Sequence, residues 1–121
     1  MPHRPGNHGL LDLYDCDAAL LADAARLEQL LRDAAHAAGA QILAARFHPF
    51  GEGQGVTGVL LLAESHISIH SWPEHRFAAI DIFLCGQLEL DAARQSLCQN
   101  FPASRARWQI IARGTDLPGK P

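Results

Sequence analysis

Side chains able to do chemistry concentrate in one run of this chain, Ala63-Glu64-Ser65-His66-Ile67-Ser68-Ile69-His70-Ser71-Trp72-Pro73-Glu74, with Cys85 a little further on. Serine, histidine and cysteine are the residues from which a nucleophilic site or a self-made electrophile is assembled. A hydroxyl or thiol supplies the electron pair, and an imidazole that titrates near neutrality moves the proton. His66, Ser68 and His70 alternate along an extended chain and share one face. Two strand histidines on one face also suit zinc, but no Cys-x-x-Cys pair or third close ligand accompanies them, so no metal is expected. Cys16 and Cys98 lack such neighbours and read as structural.

The elements that must hold these residues follow from the pattern around them. Val56 to Leu62 is an apolar run with Thr57 inside it and predicts a buried strand. Ala63-Glu64-Ser65-His66 is a polar break, read as a tight turn, and Ile67 to Ser71 is the next strand. Trp72 to Arg76 makes a second turn before a strand from Phe77 to Leu84. Upstream, Leu10 to Tyr14 predicts a first strand. Residues 17–38 predict one long amphipathic helix capped by Asp15 or Asp17 and stopped by Gly39, and Gln41 to Phe50 a second strand. Downstream, Leu88 to Asn100 predicts a second helix and Arg107 to Ala112 a last strand, with a mobile tail from Gly114 to Pro121. Short turns between the middle strands force antiparallel pairing. The expected fold is α+β: one antiparallel sheet with two helices on one face, a two-layer sandwich. The other sheet face keeps apolar residues and must be covered. A second copy of the chain is the simplest cover, giving a dimer packed sheet to sheet.

Composition narrows the class. A chain of 121 residues, 48% hydrophobic, suits a single domain over 1–121 with its own core. A net charge of −3 without any Lys/Arg run argues against nucleic acid or an anionic membrane as partner. The start, Met1 to His8, has no apolar segment of the signal-peptide kind, and no stretch is long enough to span a bilayer. Three widely spaced cysteines fit a reduced cytoplasmic protein.

The run from residue 57 to 86 closely resembles the prokaryotic S-adenosylmethionine decarboxylase proenzymes, with weaker similarity from Leu13-Tyr14-Asp15-Cys16-Asp17 to Ile111-Ala112-Arg113-Gly114. The resemblance implies an enzyme that cuts itself at Glu64–Ser65. The Ser65 hydroxyl attacks the Glu64 carbonyl, the amide becomes an ester, a base removes the Cα proton of residue 65, and elimination and hydrolysis leave a pyruvoyl group on residue 65. Strain in the turn would favour the acyl shift. His70 takes the role of processing base, Cys85 that of the acid protonating the substrate carbon, and Thr57 stands where the family has a serine polarising the scissile carbonyl. Family members pair into dimers whose sheets face each other.

Geometry constrains those roles. Ser65 and His70 are five residues apart, on opposite faces of a straight strand and roughly 16 Å from each other. Proton transfer needs contact at about 3 Å. Either the chain bends sharply at Ser65 or His70 serves the Ser65 of a second subunit, and the second is expected. Cys85 falls almost across the hairpin from Ser65 and can reach it within one chain.

The implied substrate is S-adenosylmethionine, whose decarboxylated product feeds spermidine and other polyamine synthesis. The pyruvoyl carbonyl forms a Schiff base with the substrate amine and takes up the charge left by CO2. Phe50 resembles the family's aromatic that stacks on adenine and attracts the sulfonium. Glu74 resembles the carboxylate that accepts the ribose hydroxyls. The loop Glu52-Gly53-Gln54 holds one residue more than the family's. Two other readings stand beside this one. The same machinery could decarboxylate arginine or ornithine, with Asp12, Asp15, Glu52 or Glu74 taking the distal cation, or the chain could be an unprocessed homologue that only binds.

Overall fold

The computed structural model describes residues 6–118. Residues 1–5 and 119–121 lie outside it, and with them most of the N-terminal reading and the last three residues of the tail. Six strands form one antiparallel sheet: β1 (Gly6–Tyr14), β2 (Ile42–Pro49), β3 (Val56–Leu62), β4 (Ser65–Trp72), β5 (Phe77–Leu84) and β6 (Arg105–Arg113), in the spatial order β2-β3-β4-β5-β1-β6. The helices are α1 (Ala18–Leu21), α2 (Ala24–Ala37) and α3 (Leu90–Asn100), and a 3-10 turn covers Pro73–His75.

The period-2 alternation of the strands decides the layers. Leu11, Leu13, Leu60, Leu62, Ile67, Ile69, Ile80 and Ile82 all point to one face and are buried under the helices. α2 presents Leu27, Leu30, Leu31, Ala34 and Ala35 to that face, the i, i+3, i+4 stripe of an amphipathic helix. α3 adds Ala93 and Leu97. Gly58 is required where it stands, because the Phe47 ring of the neighbouring strand occupies the space a Cβ would need. The opposite face carries no helix. Val59, Leu61, Trp72 and Ile111 are exposed on it among polar side chains.

Four expectations need correction. The helix over 17–38 is two helices, because Asp23 leaves the helical path and its side chain caps Arg26 N–H at 3.1 Å, while Asp17 caps α1. The helical layer therefore holds three helices rather than two. The turn read at residues 63–66 is only Ala63-Glu64. Ser65 and His66 already pair with Leu62 and Leu61, so β4 is longer at both ends than Ile67–Ser71. The outer strands are also longer than read, β1 starting at Gly6 and β6 running from Arg105 to Arg113, since backbone pairing continues past the apolar runs.

Candidate active site

The two-residue connection Ala63-Glu64 forces an unusual backbone. Hairpins this tight need a positive φ, usually supplied by Gly or Asn. Here Glu64 adopts φ +60. A non-glycine residue in the left-handed region is strained by roughly 1–2 kcal/mol, and the strain lies on the residue whose carbonyl begins the Glu64–Ser65 bond. Ala63 N–H donates to Gln41 O at 3.0 Å and holds the turn in place.

Cys85 closes over this turn from the end of β5. Its backbone N–H donates to Ser65 Oγ at 3.0 Å, and its Sγ donates to Glu64 O at 2.6 Å. Ser65 is 6% exposed, with its side chain on the helix side of the sheet. One chain thus brings Glu64, Ser65 and Cys85 together at one end of β4. A thiol donating to the Glu64 carbonyl can polarise it, and the Ser65 hydroxyl stands on the next residue.

The other four residues singled out in the sequence meet at the opposite end of β4. A pocket of ≈ 190 Å³ is lined by Phe50, Thr57, His70, Trp72 and Glu74, with Ser71 at its base. Thr57 and His70 are cross-strand partners, so Thr57 Oγ1 reaches His70 Nδ1 at 3.1 Å. His70 stacks on Trp72 with centroids 6.1 Å apart. Phe50, 59% exposed, stands at the rim beside His48. The loop Glu52-Gly53-Gln54 is closed by backbone bonds, with Phe50 N–H bonded to Gly55 O and Gln54 N–H to Gly51 O, both at 3.0 Å. Of the four carboxylates considered for a distal cation, only Glu74 lines the pocket.

Among the lining residues without a role in the sequence reading, Trp72 and Ser71 matter most. Trp72 shares a face with His70 by simple alternation, a signal hidden because Trp-Pro-Glu reads as a corner. Ser71 is buried, donates to Leu21 O at 2.7 Å and accepts from Val56 N–H at 2.9 Å, tying β3, β4 and α1 together beneath the pocket. Nothing local in the sequence announces that contact.

β4 runs without a break from Ser65 to Trp72, so Ser65 and His70 of one chain stay at opposite ends and on opposite faces. No sharp bend brings them together. Among the remaining cysteines, burial pushes the Cys16 thiol up to about 11, helped by Asp15, which keeps it protonated and unreactive. Among the described residues no cluster of three His, Cys, Asp or Glu side chains has the geometry to hold a metal, and no helix is long and apolar enough to cross a membrane.

Comparison with known proteins points one way. Residues 7–114 match the S-adenosylmethionine decarboxylase family model. The chain is 56% identical over 111 residues to the S-adenosylmethionine decarboxylase proenzyme of Prochlorococcus marinus (strain MIT 9313), covering 91% of this chain and 88% of that protein. It is 51% identical over 82 residues to the proenzyme of Methanococcus aeolicus, covering 68% of this chain and 69% of that protein. The crystal structure of the adenosylmethionine decarboxylase from Aquifex aeolicus superposes with a TM-score of 0.83 at 31% identity, covering 98% of both chains.

Proposed function

The chain belongs to the S-adenosylmethionine decarboxylase family, and we propose that it is a self-processing member. It cleaves itself between Glu64 and Ser65, carries the pyruvoyl group made from Ser65, and decarboxylates S-adenosylmethionine to the aminopropyl donor of spermidine synthesis in the cytoplasm. The working unit is a homodimer in which the pocket of one copy completes the cleavage end of the other. The reading rests on one arrangement above all: a left-handed Glu64 whose carbonyl accepts the Cys85 thiol beside a buried Ser65.

In processing, Ser65 Oγ adds to the Glu64 carbonyl while the Cys85 thiol and an incoming Thr57 hydroxyl hold the oxygen. Breaking the C–N bond releases the strain of the turn and leaves an ester. His70, steadied by Thr57, takes the Cα proton of residue 65, the Glu64 carboxylate departs, and the dehydroalanine left at residue 65 tautomerises to an imine that water hydrolyses with loss of ammonia. When formed, the pyruvoyl group supplies the electron sink for the charge that loss of CO2 leaves on the substrate. This chain's own residues do the rest. Phe50 stacks on the purine and faces the sulfonium, Glu74 accepts the ribose hydroxyls, and Cys85 delivers a proton to the substrate carbon.

Radiolabelled carboxyl groups separate the readings. Purified, cleaved protein offered S-adenosylmethionine, arginine or ornithine in turn is expected to release labelled CO2 from the first. Release from arginine or ornithine alone would transfer the site to a basic amino acid. Uncleaved protein that releases none from any would make the chain a binding homologue.

Cys85→Ala is expected to cleave still, at a reduced rate, because Ser65 and the strained Glu64 remain. Its turnover is expected to fall by roughly 10²–10⁴-fold, the usual worth of a positioned general acid, with product protonated at the wrong carbon. Near-normal turnover and product would remove Cys85 from the chemistry.

A further inference from the structure

The turn that presents Glu74 to the pocket is fastened at both of its ends to one short segment. Before the turn, the Ser71 hydroxyl donates to Leu21 O at 2.7 Å. After it, Arg76 and Cys16 exchange two hydrogen bonds. Cys16 N–H donates to Arg76 O at 2.9 Å, and Arg76 Nε donates to Cys16 O at 2.8 Å. Both anchors lie within residues 16–21, which run from the β1–α1 connection through α1. Between them stand Trp72 to His75, and Glu74 is the carboxylate among them. Little in that span is left to move. Pro73 fixes φ at the start of the 3-10 turn. Arg76 N–H returns to Pro73 O at 3.1 Å. The Trp72 and Phe77 rings stack across the turn with centroids 5.4 Å apart. Gly55 passes so close beneath that a Cβ there would collide with Ser71 O.

Residue 76 is the unexpected member. Its φ of +53 is left-handed, a place where a turn ordinarily carries Gly or Asn because a larger side chain strains the backbone. Arg76 is exposed, so burial does not offset that strain. What the side chain adds is the bond from Nε to Cys16 O. Asp15, just before that acceptor, is also left-handed at φ +56, and Ser104 Oγ donates to its carboxylate at 2.7 Å. Two strained residues thus meet at one contact. We infer that Arg76 is a positioning residue for substrate binding: its guanidinium, held on the Cys16 carbonyl, fixes the turn so that the Glu74 carboxylate meets the ribose hydroxyls. The inference rests on the role proposed for Glu74 above. Thr57 and His70 are held separately by the β3–β4 ladder, so Arg76 acts on binding and not on cleavage.

Arg76→Gly and Arg76→Asn test this, because both residues suit the left-handed backbone and remove only the side chain. If Arg76 served the fold alone, these variants would be silent. Both are expected to fold and to cleave at the wild-type rate. With S-adenosylmethionine, KM is expected to rise about 10-fold, the scale of one charge-assisted hydrogen bond. The kcat is expected to stay within about 2-fold, the pattern of binding lost equally from ground state and transition state. Arg76→Lys is expected to recover part of the loss, since an ammonium can donate to the same carbonyl. Glu74→Gln is expected to raise KM as well, and adding Arg76→Gly to it to change nothing further. Equilibrium binding to the purified protein reads the same contact without turnover. The probes are methylthioadenosine and the same nucleoside lacking both ribose hydroxyls. Wild type is expected to prefer the diol about 10-fold, and Arg76→Gly to lose most of that preference. A preference kept in Arg76→Gly and Arg76→Asn, KM losses additive with Glu74→Gln, or cleavage that slows in step with KM overturns the inference and leaves the role of Glu74 standing. Misfolding of both variants by circular dichroism makes the residue structural and overturns it too. A wild type that binds both nucleosides equally removes the role of Glu74 and the inference with it. A wild type that releases no CO2 removes the function, and the binding comparison still decides the inference.

Discussion

Ser65→Ala is expected to give one uncut chain of 121 residues and no decarboxylation above background. Alanine has the size and backbone freedom to occupy the start of β4, and only the Oγ is lost. In the proposed reaction that atom is the nucleophile of the acyl shift and then leaves with Glu64 in the elimination that creates the electrophile, so no partial route survives. The wild-type protein is expected to resolve by intact mass into fragments 1–64 and 65–121, with the second beginning in a blocked, keto-bearing residue. The decarboxylation loss is expected to be at least about six orders of magnitude, the low end of enzymatic rate enhancement. The fold is expected to be unaffected, because among the described residues the hydrogen bond lost is that from Cys85 N–H to Ser65 Oγ, worth about 1 kcal/mol. A Ser65→Ala chain that still cuts at residue 64, or a wild-type chain that stays whole through long incubation at neutral pH, would sink the self-processing reading.

Mixing Ser65→Ala with His70→Ala is expected to restore cleavage at a rate that neither shows alone. His70→Ala by itself is expected to process roughly 10²–10⁴-fold more slowly, the ordinary loss on removing a positioned base. In a heterodimer the intact His70 sits on the Ser65→Ala chain and serves the intact Ser65 of the His70→Ala chain. Only the His70→Ala chain is then cut. In an equal mixture brought to random pairing and then held without further exchange, about half of those chains are so paired. The expectation comes from β4 itself: an unbroken strand places Ser65 and His70 five residues apart on opposite faces. Well-folded heterodimers that stay uncut would return the base to its own chain.

The candidate site was legible because its residues are close in sequence and joined by short turns. Once Leu62 and Ser65 flank a two-residue connection, antiparallel pairing follows step by step to Thr57 opposite His70. The next turn leads in the same way to Phe77–Leu84, which carries Cys85 back to the Glu64 end. The helix over 17–38 failed at Asp23 for a physical reason. Summed propensity favours one continuous helix through Ala and Leu, but one carboxylate capping Arg26 N–H competes locally and wins. The outer strands were read short because backbone pairing does not stop where apolar side chains do.

The sequence by itself determined which groups are candidates for the proposed chemistry, that the strands carrying them are antiparallel, and which side chains alternate onto each face, since these depend on neighbours in the chain. Only the tertiary structure decided that β1 enters between β5 and β6, because nothing local marks which distant strand it will pair with. It alone twisted Glu64 into the left-handed region and seated the Cys85 thiol on its carbonyl. It alone put Trp72 into the pocket with His70 and Glu74. It also divided the seven candidate residues between two ends of one straight strand. A rigid eight-residue strand cannot fold back on itself, and that is why the proposed site needs a second copy of the chain.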